Sequence, residues 1–496
     1  MRATRLVVTV GAVVCCALVV GAQAPTGDPA VLLEQARQSF SQGQYAAALA
    51  AFTVAAQSDD PVVAGDAKRG VVRTALRTAE FGLARRVVEG LLADDSRDAG
   101  LLALQGDVAW AHGLFDDAET AYAAAARAST SGMDAHRGLA RALASRGLFD
   151  RALAEAGTAL SLDPKDAELR AVTGSIYERL GRYGDAAAAY EAYAERLPSR
   201  ERVATVTARS RAQFLRAFEG RQPLEVEPWG EGLSRPVRFK LVNRKVVLQG
   251  RVNGAAVDFV LDTGAERTAV TPDVAMRAGV RTQGGTFAAG VGHSAWRRVA
   301  LARVDTLEVG PLRVRNVPVA IRAPVRGGAP RWQSQTLSPL ALGVSVVVDY
   351  QRKEVRFGHE LPVDAGDLVL PMRVHRLPLV RGTLNGGRHA AFIVDTGGEV
   401  ISLNSEVAEL LDVRAPRHIP LRVQGLEGVD ESAFLLPGVD LDLATISYRR
   451  IGVAVLDLRA PSVLLGFQVG GIVGHTFLAD RRVSFDLERS ELRLSR

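Results

Sequence analysis

The stretches "FVLDTGAERTAV", residues 259–270, and "FIVDTGGEVISL", residues 392–403, decide how the second half of this chain reads. Each runs from apolar residues into Asp-Thr-Gly, one small residue and Glu, then back into apolar sequence. Asp262 and Asp395 stand 133 residues apart, about one small domain. Their surroundings repeat as well. "KVVLQGRVNGAAVDFVLDTGAE" (245–266) and "LPLVRGTLNGGRHAAFIVDTGGE" (377–399) both read strand, Asn-Gly turn, apolar strand, Asp-Thr-Gly. A glycine-bearing segment follows each: "AAGVGHSAWRRV" with Gly290 and Gly292, and "VQGLEGVDESAF" with Gly425 and Gly428. Each half closes on an Asp-containing hairpin, "VVVDYQRKEVRF" and "VSFDLERSELRL". Short alternating runs between Gly, Asn and Pro turns predict an all-β region, duplicated over about residues 237–360 and 361–496.

The first half repeats at another period. "GQYAAALAAF" begins at Gly43, "AEFGLARRVV" at Ala79, "GLFDDAETAY" at Gly113, "GLFDRALAEA" at Gly147 and "GRYGDAAAAY" at Gly181. The last four starts are 34 residues apart. Each unit places an aromatic two positions after the start and Ala three positions later, in Ala-rich sequence of helical periodicity. A unit of this kind buries its apolar face only by stacking on its neighbours, so about five units predict a solenoid over residues 28–220, with 200–220 as a more polar capping helix. Residues 221–236, rich in Pro and Gly, read as a linker.

Composition bounds the rest. The 496 residues allow two to four domains, and a net charge of +6 spread along the chain argues against a nucleic-acid surface. Arg2 and Arg5, an apolar run over 6–20 and the small-x-small triplet Ala22-Gln23-Ala24 read as a signal peptide over 1–24. An uncleaved anchor and a lipoprotein signal are the alternatives. Cleavage would leave an exported protein, periplasmic or extracellular, with no membrane span. Both cysteines, Cys15 and Cys16, lie inside the signal, which removes disulfides and cysteine metal sites from consideration. His112 and His136 read as packing or surface residues. His293, His375, His389, His418 and His475 lack metal-ligand spacing, and no cofactor or metal is expected.

The 34-residue units resemble the tetratricopeptide repeat, which implies a surface for a protein or peptide partner, with a structural spacer as the alternative. The duplicated β region resembles the retroviral-type (retropepsin-like) aspartic proteases, especially bacterial members. The expected architecture is an all-α tetratricopeptide solenoid followed by two all-β acid protease lobes. The resemblance implies that Asp262 and Asp395 form one catalytic dyad across an intrachain pseudo-dimer. Two carboxylates that close share one proton, because they cannot both ionise, and together they activate a water against a peptide bond. It implies that Thr263 and Thr396 exchange hydrogen bonds across the interface, and that Gly264 and Gly397 permit tight turns. Glu266 and Glu399 would support substrate or interface, and Gly290, Gly292 and Gly425 would lie in flaps over an extended peptide. Two other readings stay open: idle lobes in an adaptor, and lobes pairing between chains. One departure stands out: "SQTLSPLAL" (334–342) occupies the place of "GGIVGHTFL" (470–478), so the first half lacks the glycine expected behind its Asp loop.

Overall fold

The computed structural model describes residues 27–495 apart from 96, 231, 292–295, 325–329, 412, 414–418 and 426–427. The signal segment, Gly292, His293 and His418 lie outside the described residues.

Eleven helices come first: α1 Pro29–Ser41, α2 Tyr45–Ala55, α3 Pro61–Arg77, α4 Phe81–Asp94, α5 Ala99–Ala111, α6 Phe115–Ala128, α7 Met133–Ser145, α8 Phe149–Leu162, α9 Ala167–Arg179, α10 Tyr183–Arg196 and α11 Arg202–Arg216. The repeat phrase marks the turn inside each pair. Gly43, Gly113, Gly147 and Gly181 hold φ of 71–74°, a left-handed conformation that costs glycine nothing. The second unit has no glycine there, and Ala79 takes the same conformation at φ 60°. Small residues let the helices approach closely. A Cβ on Gly106 or Gly138 would come within 2.5 or 2.2 Å of the Tyr122 ring, and one on Gly70 within 2.4 Å of Phe52.

The solenoid curls until its ends touch. Tyr45 donates its hydroxyl proton to Glu201 at 2.7 Å, and Arg77 pairs with both Glu168 and Glu201. Arg73 reaches Asp134 at 3.7 Å. Ion pairs therefore cross the inner face that the resemblance offers to a partner.

The β region is built twice on one plan. Strand Lys245–Val252 turns back as Ala255–Leu261, and Leu377–Leu384 turns back as Arg388–Val394. Both hairpins use Asn-Gly with positive φ at each residue: Asn253-Gly254 forms the whole two-residue turn, and Asn385-Gly386 opens a three-residue one that Gly387 completes. Each Asn also accepts backbone N–H bonds from the next hairpin, Asn253 from Asp305 and Thr306, and Asn385 from Asp440. The halves join through a sheet in the order Leu368–His375, Glu491–Leu494, Arg482–Asp486, Ser345–Asp349, Glu354–Gly358, Val237–Arg238. That order is symmetric about the central pair, where the two closing hairpins meet. One continuous apolar core, from Val246 and Phe259 to Phe392 and Phe485, runs through both halves. The segment expected to be a linker adds an edge strand, Glu225–Val226, to Leu312–Ile321, and Trp229 packs against the core.

Solenoid and β region share an interface. Trp110, Phe115 and Ala118 pack with Leu377, Ala391 and Phe467 in one apolar cluster. Around it, Arg373 pairs with Asp116 and Glu119, and Arg381 with Asp117. His375 lies edge-on to Trp110. Burial holds it neutral, well below an ordinary histidine at about 3. No described helix is long and apolar enough to cross a membrane.

Candidate active site

Each Asp-Thr-Gly loop is fixed by its own half. The Asp262 N–H bonds Leu337 O at 2.9 Å, and the Asp395 N–H bonds Val473 O at 3.0 Å. The strands behind them, Thr336–Leu337 and Gly471–Val473, run parallel to the strand that delivers each Asp. The departure at the first loop is compensated locally. Ser338 stands where the second half has Gly474. A Cβ on Gly474 would come within 2.7 Å of the Gly398 carbonyl carbon, so no side chain fits there. At Ser338 the hydroxyl donates to Ala265 O at 2.6 Å, and the Ser338 N–H reaches the Thr268 hydroxyl at 3.2 Å. The first loop is held by a side chain where the second is held by close backbone contact.

The loops lock onto each other through the threonines. The Thr263 N–H donates to Thr396 Oγ1 at 3.1 Å, and the Thr396 N–H to Thr263 Oγ1 at 3.0 Å. Each hydroxyl then donates across the interface, Thr263 to Val394 O and Thr396 to Leu261 O, both at 2.7 Å. All of these groups are buried, so water cannot replace the bonds.

This lock brings the two carboxyls together. A Cβ on Gly264 would lie 2.5 Å from Asp395 Cγ, and one on Gly397 would lie 2.9 Å from Asp262 Cγ. Only glycine at both positions leaves each carboxyl its place against the opposite loop. The Asp395 carboxylate accepts the Gly397 N–H at 2.7 Å. Asp262 is 6% exposed. Burial first, then the charge of Asp395 and a hydrogen bond between the two carboxyls, hold Asp262 well above the usual carboxylate range; Arg322 and Lys245 pull the other way. Two carboxyls held this close share one proton, because both cannot ionise side by side. The pair presents an acid and a base within reach of one water.

The two glutamates bridge the halves in a matching way. Glu266 pairs with Arg376 at 2.7 Å, and Glu399 lies 3.7 Å from Lys245, whose ammonium also donates to Gly397 O at 2.7 Å. Each basic partner sits at or just before the hairpin of the opposite half. Burial would raise Glu266, but Arg376 and Arg267 outweigh it and lower its pKa. The segments expected to form flaps also meet. Gly425 lies so close to Val291 that an added Cβ would fall 2.1 Å from its carbonyl oxygen, and Gly290 immediately precedes Val291.

Sequence reasoning missed several contributors. Ser338 was visible only as a missing glycine. Lys245 and Arg376 are ordinary basic residues at strand starts, and only the pairing of the halves aims them at the opposite Glu. Arg267 ties the first loop to the solenoid, bonding Glu178 of α9 at 3.0 Å while Arg211 of α11 bonds the same carboxylate at 2.7 Å. Burial opposes that charge, yet Arg211 and Arg267 hold Glu178 down at about 2. The strand Thr282–Ala288, just before the first expected flap segment, rests on α11: Ser210 Oγ donates to Gly285 O at 2.7 Å and accepts its N–H at 3.1 Å. Among the described residues no group of three or more His, Cys, Asp or Glu is placed to hold a metal ion.

Comparisons with known proteins divide at the same place. A family model described as aspartyl protease matches residues 248–346 and 380–476, which contain Asp262 and Asp395 respectively. A tetratricopeptide repeat model matches 71–133, 103–160 and 137–201. No curated protein matches. Solved structures similar to this chain include a thermophilic tetratricopeptide protein of Thermus thermophilus at 23% identity, covering 37% of this chain and 98% of that one, with a TM-score of 0.32. PilF of Pseudomonas aeruginosa matches at 16% identity over 38% of this chain and 84% of its own, with a TM-score of 0.29. YrrB, described as a tetratricopeptide protein with an unusual peptide-binding site, matches at 19% identity over 35% and 88%, with a TM-score of 0.23. The chain carries tetratricopeptide repeats followed by two retropepsin-like aspartyl protease segments.

Proposed function

We propose that the protein is an exported aspartic-type endopeptidase whose dyad, Asp262 and Asp395, forms within one chain. The observation that carries this reading is the reciprocal threonine lock, which seats the two carboxyls against each other's loops. In the proposed reaction, Asp395 takes a proton from a water held between the carboxyls, and that water attacks the scissile carbonyl. Asp262 donates its hydrogen bond and proton to the carbonyl oxygen; as the C–N bond breaks, the proton held by Asp395 passes to the leaving amine and the one on the former carbonyl oxygen returns to Asp262. An extended peptide would lie beneath the segments that meet at Val291 and Gly425, paired by main-chain bonds. Export rests on the basic, apolar and small-residue sequence of residues 2–24.

The test is cleavage of a mixed peptide library between about pH 3 and 8, with Asp262→Asn and Asp395→Asn alongside. The parent is expected to cleave and each variant to be silent. A silent parent at every pH, or variants that cleave like the parent, defeats the reading. Mixing the two variants tests pairing between chains, since an intrachain dyad recovers no activity.

A further inference from the structure

Many arginines of this Arg-rich chain pair with carboxylates, and four that do not stand around one recess. A cavity of about 330 Å³ opens between the second repeat and the second protease segment. Arg85 and Arg86 of α4 line one wall; Arg388, at the start of its strand, and Arg459 line the other. Among the described residues, none of these four guanidiniums has a carboxylate within ion-pairing distance. The cavity holds two carboxylates, Glu80 and Glu406, and each is engaged by a neutral donor: Thr78 hydroxyl to Glu80 at 3.3 Å and Gln468 amide to Glu406 at 2.9 Å. Asp117, the acidic neighbour shared by Arg85 and Arg381, is bonded to Arg381 at 2.8 Å.

Like charges gathered in a recess oppose each other. Arg85 is pulled below its usual value, first by burial and then, against the attraction of Glu89, by the charge of Arg388. His112 at the back of the cavity is held neutral for similar reasons: burial, then Arg85, bring it down to about 4. The four guanidiniums outnumber the two carboxylates of the recess, so a net positive charge is left there for an external anion to complete. Guanidinium forks match the paired oxygens of phosphate and carboxylate, which bind them bidentately. The volume is at the lower end for small-molecule sites.

We propose that this cleft binds a small oxyanion-bearing molecule, a phosphate compound or a polycarboxylate, held by Arg85 and Arg86 from the solenoid and by Arg388 and Arg459 from the second protease segment. The ligand would bridge the two parts of the chain. It does not touch the carboxyl dyad, so the inference stands independently of proteolysis.

The experiment is calorimetric titration of the chain purified without its first 24 residues. The probes are inorganic phosphate, pyrophosphate and citrate, in chloride buffer of matched ionic strength. One equivalent of at least one probe is expected to bind, and the ranking of pyrophosphate against citrate separates a phosphate ligand from a carboxylate one. The double variant Arg85→Gln/Arg388→Gln is expected to bind that probe at least ~10-fold more weakly, the loss of one charge-assisted contact or more. In chloride alone it is expected to melt no lower than the parent, because a repulsion has been removed. No binding by any probe, unchanged binding in the double variant, or a variant that melts lower in chloride would each overturn the proposal.

Discussion

The threonine lock can be tested by removing one hydroxyl without changing shape. Thr396→Val keeps the volume and the branch at Cβ. It removes the acceptor of the Thr263 N–H and the donor to Leu261 O, bonds of 3.1 and 2.7 Å between buried groups. Each orphaned buried group costs about 1–3 kcal/mol, so the substitution, which orphans both, should cost about 2–6 kcal/mol. Thr396→Ser keeps both bonds and loses one methyl group, and should cost about 1 kcal/mol. Thr263→Val orphans the matching pair, the Thr396 N–H and Val394 O, and should cost as much as Thr396→Val. Urea unfolding followed by tryptophan fluorescence measures all three. If Thr396→Val unfolds within ~0.5 kcal/mol of the serine variant, the hydroxyls are not what holds the two loops together, and the argument for a preformed dyad fails.

Three further outcomes follow from the same contacts. Asp262 binds its proton more tightly folded than unfolded, so its stabilisation is complete below the ordinary carboxylate range and is lost as pH rises through its raised folded value. The amide of the Asp262→Asn variant has no such proton to lose, so the melting temperature of that variant relative to the parent should climb steadily between about pH 4 and 8; a constant difference contradicts the shared proton. Glu178 is the opposite case: its depressed value gives stability above the ordinary glutamate range that disappears as pH falls towards about 2. Glu178→Gln should cost on the order of 3 kcal/mol near pH 7 and nearly nothing at the lowest pH at which the parent stays folded, read by urea unfolding at both. Ala79→Gly relieves the left-handed alanine at φ 60° and should raise stability by roughly 0.5–1 kcal/mol after the entropy of the added glycine is counted; a loss would show that the turn is not strained.

The repeated phrases made most of the architecture legible. Helical turns recur where the 34-residue phrase starts, because a left-handed turn and a small-residue contact each demand a particular residue type at a particular place. The Asn-Gly turns and the Asp-Thr-Gly loops carry the same kind of demand. What stayed hidden depends on pairing between distant segments. "SQTLS" looks like a loss beside "GGIVG" because sequence shows the missing glycine and not the Ser338 hydroxyl reaching Ala265 O. Arg267 and Arg376 look like any surface arginine until the solenoid and the second half are laid against the first loop. The contact between the ends of the solenoid, Tyr45 to Glu201, depends on the accumulated curvature of five units, which no single unit encodes.

That packing gives the turn glycines a second role. Gly113 needs glycine for its φ of 72°, yet the second β hairpin also approaches it so closely that an added Cβ would lie 2.6 Å from the Ala391 methyl and 3.3 Å from Gln468 O. The Gln468 N–H bonds Ala111 O at 2.7 Å beside it, and Ser490 bonds Arg146 O at 2.6 Å next to Gly147. The edge of the solenoid that carries its turns is therefore the edge that receives the protease segments. Its inner face is crossed by Arg73, Arg77 and their acidic partners. At the far end, α11 holds the strand Thr282–Ala288 at Gly285, while Glu178, bonded also by Arg211, holds Arg267, five residues beyond Asp262. A repeat array with this much of its surface committed within its own chain braces the Asp262 loop and the strand Thr282–Ala288, and a partner would have to use the surface that remains.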